Sequence, residues 1–493
     1  MRDAYNVFGI TYLNNQNVDP NQATTRYTLY LIRNTTHRMH RRSLLILTLL
    51  PLVGFNLTCG QPSTAQLQKV ELTYWRSFDD EDAFAPQIKR YSEIHPNIAI
   101  VYRKFRYEEY EQTLLNALSE DRGPDLFSIP NTWVEKFRNK VFPAPAELAV
   151  YQTVVDSGPQ KRERAVQVQV PGPTPFSVAR TFVDAVGNDA VRGTQVIGLP
   201  LAVDTLALYA NTDLLARAGI PTPAHSWEEV LEQTKKLTIL GKDGKIEQAA
   251  IGLGGADNIP RSSDILLSLL LQNGVKLANE RGDVTLAETP TGGDTQNPPA
   301  AEALRFYTDF ARPGKSTYTW NAELPNALEL FREGRLAYFL GYSYDAADIA
   351  QTSKVRFTVT PLPHPQALLD RGVRIALSNT WLEVVSKKTT HPNEAWDFLQ
   401  FITAPDQAVA YLEKTHKPSA LRTLIDQEKN DPLLAAFAPQ TLVAQGWYRG
   451  FNSDEMEHAL QRAVTTVLDN SLDPRQAIVR AAQQIQQTMV PGY

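Results

Sequence analysis

Seven residues of this 493-residue chain combine side chain and placement in a way that suits a small polar ligand: Trp75, Asn131, Trp133, Asp204, Tyr342, Tyr344 and Trp381. Each falls at or just beyond a short apolar run. Trp75 closes Val70 to Trp75, Asn131 and Trp133 follow Pro124 to Ile129, and Asp204 interrupts Leu199 to Tyr209. Tyr342 and Tyr344 follow a turn at Gly341, and Trp381 lies in Leu377 to Val385. Aromatic rings supply flat apolar faces, while Asp and Asn supply hydrogen-bonding groups. A pyranose asks for that pairing, because its C–H face packs on a ring and its hydroxyls need donors and acceptors. An Asp carboxylate can accept from two adjacent hydroxyls with charge-assisted bonds.

Packing offers a competing account for several of these residues. Trp75 and Trp381 either face a ligand or plug the ends of sheets, and Asp204 either touches ligand or bonds nearby backbone amides. Trp227 and Trp396 sit in helical patterns and are assigned to packing. Arg374 would meet a carboxylate or phosphate, or lie exposed in a loop. Trp320, Trp447 and Tyr448 fall in loops and stay open between the two roles.

Catalytic patterns are absent from the sequence. The histidines at 37, 40, 95, 225, 364, 391, 416 and 458 show no metal-ligand spacing. No Gly-x-Ser-x-Gly elbow and no phosphate-binding Gly-x-x-x-x-Gly-Lys-Ser/Thr loop occurs. Asp79 to Asp82 reads as an acidic run opening a helix at its positive dipole end. The rival enzyme reading is an exported carbohydrate hydrolase using Asp204 and a second carboxylate such as Glu383. No cofactor and no metal is expected.

Elements able to position the seven residues follow from periodicity. Strand, helix, strand, helix, strand is expected over Val70 to Trp75, Asp82 to Glu93, Ile98 to Phe105, Glu108 to Leu118 and Pro124 to Ile129, a βαβαβ opening with a parallel core. Ser226-Trp-Glu-Glu229 reads as a capping box starting a helix to Leu237. Ala395, Phe398, Leu399 and Ile402 form one apolar helix face, with Pro392 in its first turn. Gln160 to Pro175 reads as a surface insertion or exposed hairpin, and Thr289 to Pro299 as a mobile loop.

Two longer segments carry a family resemblance. Gly198-Leu-Pro-Leu-Ala-Val-Asp204-Thr-Leu-Ala-Leu-Tyr209-Ala-Asn211 resembles the hinge strand of family 1 extracellular solute-binding proteins, the maltodextrin-binding-like receptors of ABC importers. Leu324 to Tyr344 resembles their helix, Gly turn, buried strand and aromatic ligand loop, and Ser386 to Ser419 their later helical segment. The resemblance implies an α/β fold of the two-lobe periplasmic-binding-protein type, with interleaved lobes joined by hinge strands. It places residues 69–200 with 376–430 in lobe 1 and 208–372 with 431–493 in lobe 2. It further implies that Asp204 stands where relatives carry a sugar-contacting carboxylate, and that an aromatic after Gly341 stacks on the ligand. The expected activity is capture of a mono- or oligosaccharide by a monomer and its delivery to importer membrane subunits. A surface adhesin that has kept the fold is the remaining alternative.

The amino terminus and composition bear on location. His40-Arg41-Arg42 followed by an uncharged stretch to Thr58 reads as a signal peptide over 39–58, ending at Cys59, the only cysteine. Cys59 is then a lipidation site, with 59–68 as anchor and linker, although Asn56-Leu-Thr-Cys59 departs from the usual Leu-Ala-Gly-Cys pattern. Residues 1–38 read as an upstream segment preceding a start at Met39. The expected location is the extracytoplasmic face of the cell membrane. The net charge of −5, from 49 basic and 54 acidic residues, speaks against nucleic acid as a partner.

Overall fold

In the computed structural model, residues 67–155, 163–289 and 293–491 are described. The signal segment, Cys59 and part of both uncertain stretches lie outside them. Gly60–Tyr493 forms one unit, and within it two five-stranded sheets each support a hydrophobic core.

The first sheet runs in the spatial order Ile98–Phe105, Val70–Ser77, Leu126–Pro130, Asn379–Val385, Leu199–Asp204. Its opening three strands are parallel, as a βαβαβ start demands, and the last two are antiparallel to their neighbours. The second sheet runs Ile239–Leu240, Ile246–Ile251, Leu336–Gly341, Ala207–Asn211, Phe357–Pro361. Both faces of these sheets are covered by helices, so the middle strands are buried throughout: all five residues of Leu126–Pro130 and all six of Leu336–Gly341 are buried.

The chain passes between the cores more than once. Leu201 and Val203 belong to the first core and Leu206 and Ala207 to the second, so one crossing falls at Asp204-Thr205. The return falls where Ala376 and Leu377 face different cores. The last handover is spread out: Ala436 and Phe437 pack in the second core, Ala438 and Ala444 in the first, and Tyr448 onward in the second again. Ala376–Leu377 and Ala444–Gln445 pair as a short parallel ladder, tying two of these crossings together.

Local chemistry explains the helix ends. Ser226 accepts from the Glu229 amide and starts Trp227–Leu237, but Glu229 reaches one residue further back than a capping box requires, to the His225 amide at 2.7 Å. Gly219, at φ 68°, closes Thr212–Arg217 in a conformation that a side chain would strain. Trp227 donates to Gln272 and Trp396 to the Phe142 carbonyl, and both are buried in the cores. Glu147–Val155 and Glu163–Pro171 form an antiparallel hairpin, so 163–171 is its second strand. After 293–298 the chain enters the helix Pro299–Asp309.

Candidate functional site

A cavity of about 620 Å³ opens between the two sheets, lined from both sides and from the crossings. Parallel strands of open α/β sheets present ligand sites beyond their carboxyl ends. The residues following Ser77, Pro130 and Gly341 all reach this cavity. Its volume is in the range of about 300–1,000 Å³ common for small-ligand sites.

The first wall is aromatic. Phe78 stacks on Tyr107 with ring centres 5.3 Å apart and meets Trp381 edge-on, also at 5.3 Å. Phe78 is 53% exposed and has φ 74°, a left-handed conformation rare for a bulky residue. That backbone holds the ring out of the core. On the opposite wall Tyr344 lies stacked on Tyr342 at 5.7 Å. Tyr344 is 45% exposed, whereas Tyr342 is buried and donates its hydroxyl to Asp264 at 2.7 Å.

Beneath the first wall lies a buried charge network. Arg76 lies 3.1 Å from Asp79 and 3.1 Å from Glu383. Lys417 reaches Asp79 at 2.6 Å, Tyr411 donates to Asp79, and Tyr74 donates to Glu383 at 2.5 Å. Burial alone would raise both carboxyls. For Asp79, Arg76 and Lys417 together overcome it and hold the group below its ordinary range. Glu383 is fully buried with Arg76 as its main counter-charge, and there burial wins and the carboxyl is raised.

Asp204 lines the cavity, yet its oxygens are occupied. They accept from the Ser343 amide at 3.0 Å, the Ser343 hydroxyl at 2.7 Å and the Thr205 amide at 2.8 Å. It therefore ties the first crossing to the loop after Gly341. Asn131 also lines the cavity and is partnered, donating to Asp189 at 3.0 Å and to the Ser378 carbonyl. Gly446 passes so close that a Cβ there would lie 2.7 Å from the Asp189 carboxylate.

Two of the seven residues do not reach the cavity. Trp75 points to the opposite face of its strand from Tyr74 and Arg76, against Phe105 and beneath the Arg103 guanidinium. Trp133 is buried behind Trp381 and donates its indole N–H to Ser453 at 3.1 Å. Arg374 is exposed and Trp320 is buried in the second core, and neither lines the cavity; Trp447 and Tyr448 do. Phe78, Tyr107, Arg76, Arg261 and Asp264 were not singled out, and Asp79 was read only as part of an acidic helix start. For Arg76 there was a signal: Val70, Leu72 and Tyr74 face inward at period two, and Arg76 continues that face.

The carboxyls around the hinge make stability depend on pH. Burial pushes Asp204 up to about 6, and Asp345 and Glu428 up to about 7. Each binds its proton more readily folded than unfolded. Their contribution is thus fully present below the unfolded carboxyl value of about 4 and is lost as pH rises through about 6 to 7. Thermal unfolding at fixed ionic strength should give a higher Tm at about pH 5 than at about pH 8. Asp345→Asn should flatten that slope, and an unchanged or reversed slope would refute this assignment.

The comparisons with known proteins agree with this architecture. A putative binding protein of Brucella abortus (strain 2308) is 23% identical over 232 residues, 46% of this chain and 51% of that protein. The maltodextrin-binding protein MdxE of Bacillus subtilis (strain 168) is 24% identical over 273 residues, 52% of this chain and 58% of that one. The chain spans about half the length of the curated relatives it matches. A solved cyclo/maltodextrin-binding protein complexed with maltotetraose shares the two-lobe fold, with a TM-score of 0.66 at 16% identity, covering 87% of this chain and 99% of that one. The profile of bacterial extracellular solute-binding proteins matches residues 77–409, and the chain belongs to that family.

Proposed function

We propose that this chain captures a mono- or oligosaccharide between its lobes and delivers it to the membrane subunits of an ABC importer. The observation that carries this reading is the cavity itself: exposed aromatic rings on both walls, Phe78 with the half-buried Trp381 opposite Tyr344, at the carboxyl ends of two sheets. Ring faces and hydrogen-bonding groups in one water-accessible cleft match the two sides of a pyranose. Binding to both lobes stabilises the closed arrangement, which is the form a transporter would recognise. The moving bodies in this reading are 69–200 with 376–430 and 208–372 with 431–493, except that Ala438 and Ala444 pack with the first, and the protein acts as a monomer.

A hydrolase reading is disfavoured by the state of its two carboxylates. The Glu383 side chain is fully buried behind Arg76 and Tyr74, and Asp204 is committed to hinge hydrogen bonds. A glycosidase needs both groups free to meet the scissile bond. A thermal-shift panel of mono- and oligosaccharides and polyols tests the proposal, since a ligand that binds only the folded state must raise Tm. At least one sugar should do so in a saturable manner. A flat panel would overturn the sugar reading.

The location proposed is the extracytoplasmic face of the membrane, through a lipid on Cys59. No helix among the described residues is long and apolar enough to cross a membrane, and Cys59 itself lies outside them. In a host that processes the signal, Cys59→Ser should release the protein to the soluble fraction and abolish fatty-acid labelling. Equal membrane retention of the variant would refute the anchor.

A further inference from the structure

The cavity lining holds more carboxylates than cations, seven against four, and one of the seven, Asp80, is paired at 2.8 Å with Lys104 from outside the lining. Each of the four cations is already paired with a carboxylate of the same lining. Arg76 is held by Asp79 and Glu383, and Lys417 by Asp79. Lys414 is held by Asp82 at 2.8 Å, and Arg261 by Asp264 at 2.6 Å and Glu457 at 3.4 Å. The accessible members stand at the mouth and on the second wall: side-chain exposure is 63% for Asp82, 55% for Lys414, 34% for Arg261 and 27% for Glu457.

We infer that this cleft sorts its ligands by charge, admitting uncharged and amine-bearing sugars and excluding uronates and sugar phosphates. The inference rests on the sugar reading above and names the class of sugar. An anion entering the cleft must win a cation from a carboxylate that cannot leave, so one negative charge, buried or half-buried everywhere except at the exposed Asp82, is left without a partner. A hydroxyl has no such cost, because it donates to an ion-paired carboxylate through a spare lone pair. An ammonium group gains twice, from the surplus carboxylates and from the faces of Trp381, Tyr344 and Trp447. Burial raises Glu457, with Asp264 and Asp454 adding to the shift against the pull of Arg261, as expected where acidic groups crowd one another.

Arg261 adds a second observation to the pairing. It adopts φ 56° and ψ 31°, left-handed for a residue with a long side chain, at the start of the helix Ser262–Gln272. This geometry delivers its guanidinium to the cavity while Asp264, Glu457 and the Tyr342 hydroxyl close around the pair. Backbone strain of this kind persists where surrounding contacts over-determine it, commonly at ligand clamps. Glu457, at 3.4 Å, is the partner that can be taken from Arg261 without opening the core, while Asp264 stays on the guanidinium.

The test compares the wild type with a Glu457→Gln/Asp82→Asn variant, which releases Arg261 and Lys414 from one carboxylate each. Glucose, glucosamine, glucuronate, glucose 6-phosphate and inorganic phosphate are the probes, read by thermal shift at low salt. In the wild type none of the three anions should raise Tm at about 10 mM, and in the variant phosphate should. Anion-dependent stabilisation of the wild type would overturn the inference, and so would a variant that stays indifferent to phosphate. The phosphate arm does not depend on which sugar is bound. Indifference to every sugar, with the phosphate arm as expected, would count against the sugar reading and leave the charge rule standing.

Discussion

Arg76→Ala should lower the unfolding free energy by about 3–5 kcal/mol, the cost of breaking a buried ion pair by removing one partner. Its side chain is 4% exposed, and Asp79 and Glu383 on either side are 8% and 0% exposed. Removing the guanidinium leaves Glu383 facing the Tyr74 hydroxyl in a dry interior, where an unpaired carboxylate must be protonated or bring in water. Asp79 suffers less, because Lys417 and Tyr411 remain on it. The asymmetry makes the mechanism testable. An Arg76→Met/Glu383→Leu double variant removes both charges and should recover most of the loss, while Arg76→Met/Asp79→Ala should not. Urea unfolding with an unchanged m-value is the measurement. A single variant within about 1 kcal/mol of the wild type would show that the network does not hold the floor of the cleft.

That network also marks the boundary of what could be read from residue order. The hinge segment was legible through its family resemblance, in which Asp204 interrupts an apolar run; that Asn211 caps the next helix is shown by the structure. Trp227 and Trp396 were legible as core because helical spacing puts them on apolar faces. Asp79 was not. Read locally it belongs with Asp80, Glu81 and Asp82 as a favourable start to a helix, and Glu81 and Asp82 do open a short 3₁₀ turn. Its partner Lys417 is 338 residues away, and no local rule links them. Trp75 was misread for the opposite reason. A strand end points toward the cleft, but the side-chain period of two decides which face each residue takes, and Trp75 falls on the face covered by Arg103 and Phe105. Asp204 shows a third limit. Its type and position invite a ligand contact, whereas the donors that satisfy it belong to Ser343 and Thr205.

Phe78 gives the second large effect, and its signature is a reversal of the usual Gly-versus-Ala order in stability with an equal loss of binding in both variants. At an ordinary strand or loop position Gly is less stable than Ala by about 0.5–1 kcal/mol, because it has more freedom to lose. Phe78 sits at φ 74°, where any Cβ is strained by roughly 1–2 kcal/mol and Gly is not. Phe78→Ala and Phe78→Gly lose the same ring contacts with Tyr107 and Trp381. Phe78→Gly should therefore be the more stable of the two by about 1 kcal/mol. Both should bind the sugar found by the thermal-shift panel about tenfold or more weakly, since a lost apolar platform is worth roughly 1.5–3 kcal/mol. Tyr344→Ala should weaken binding to a similar degree from the other wall, and its effect should not depend on salt. Unfolding midpoints and calorimetric titration of the three variants decide the matter. Wild-type affinity in both Phe78 variants would mean that the ring is not part of the site. A Phe78→Gly protein less stable than Phe78→Ala would mean that the left-handed turn is not where the strain is held.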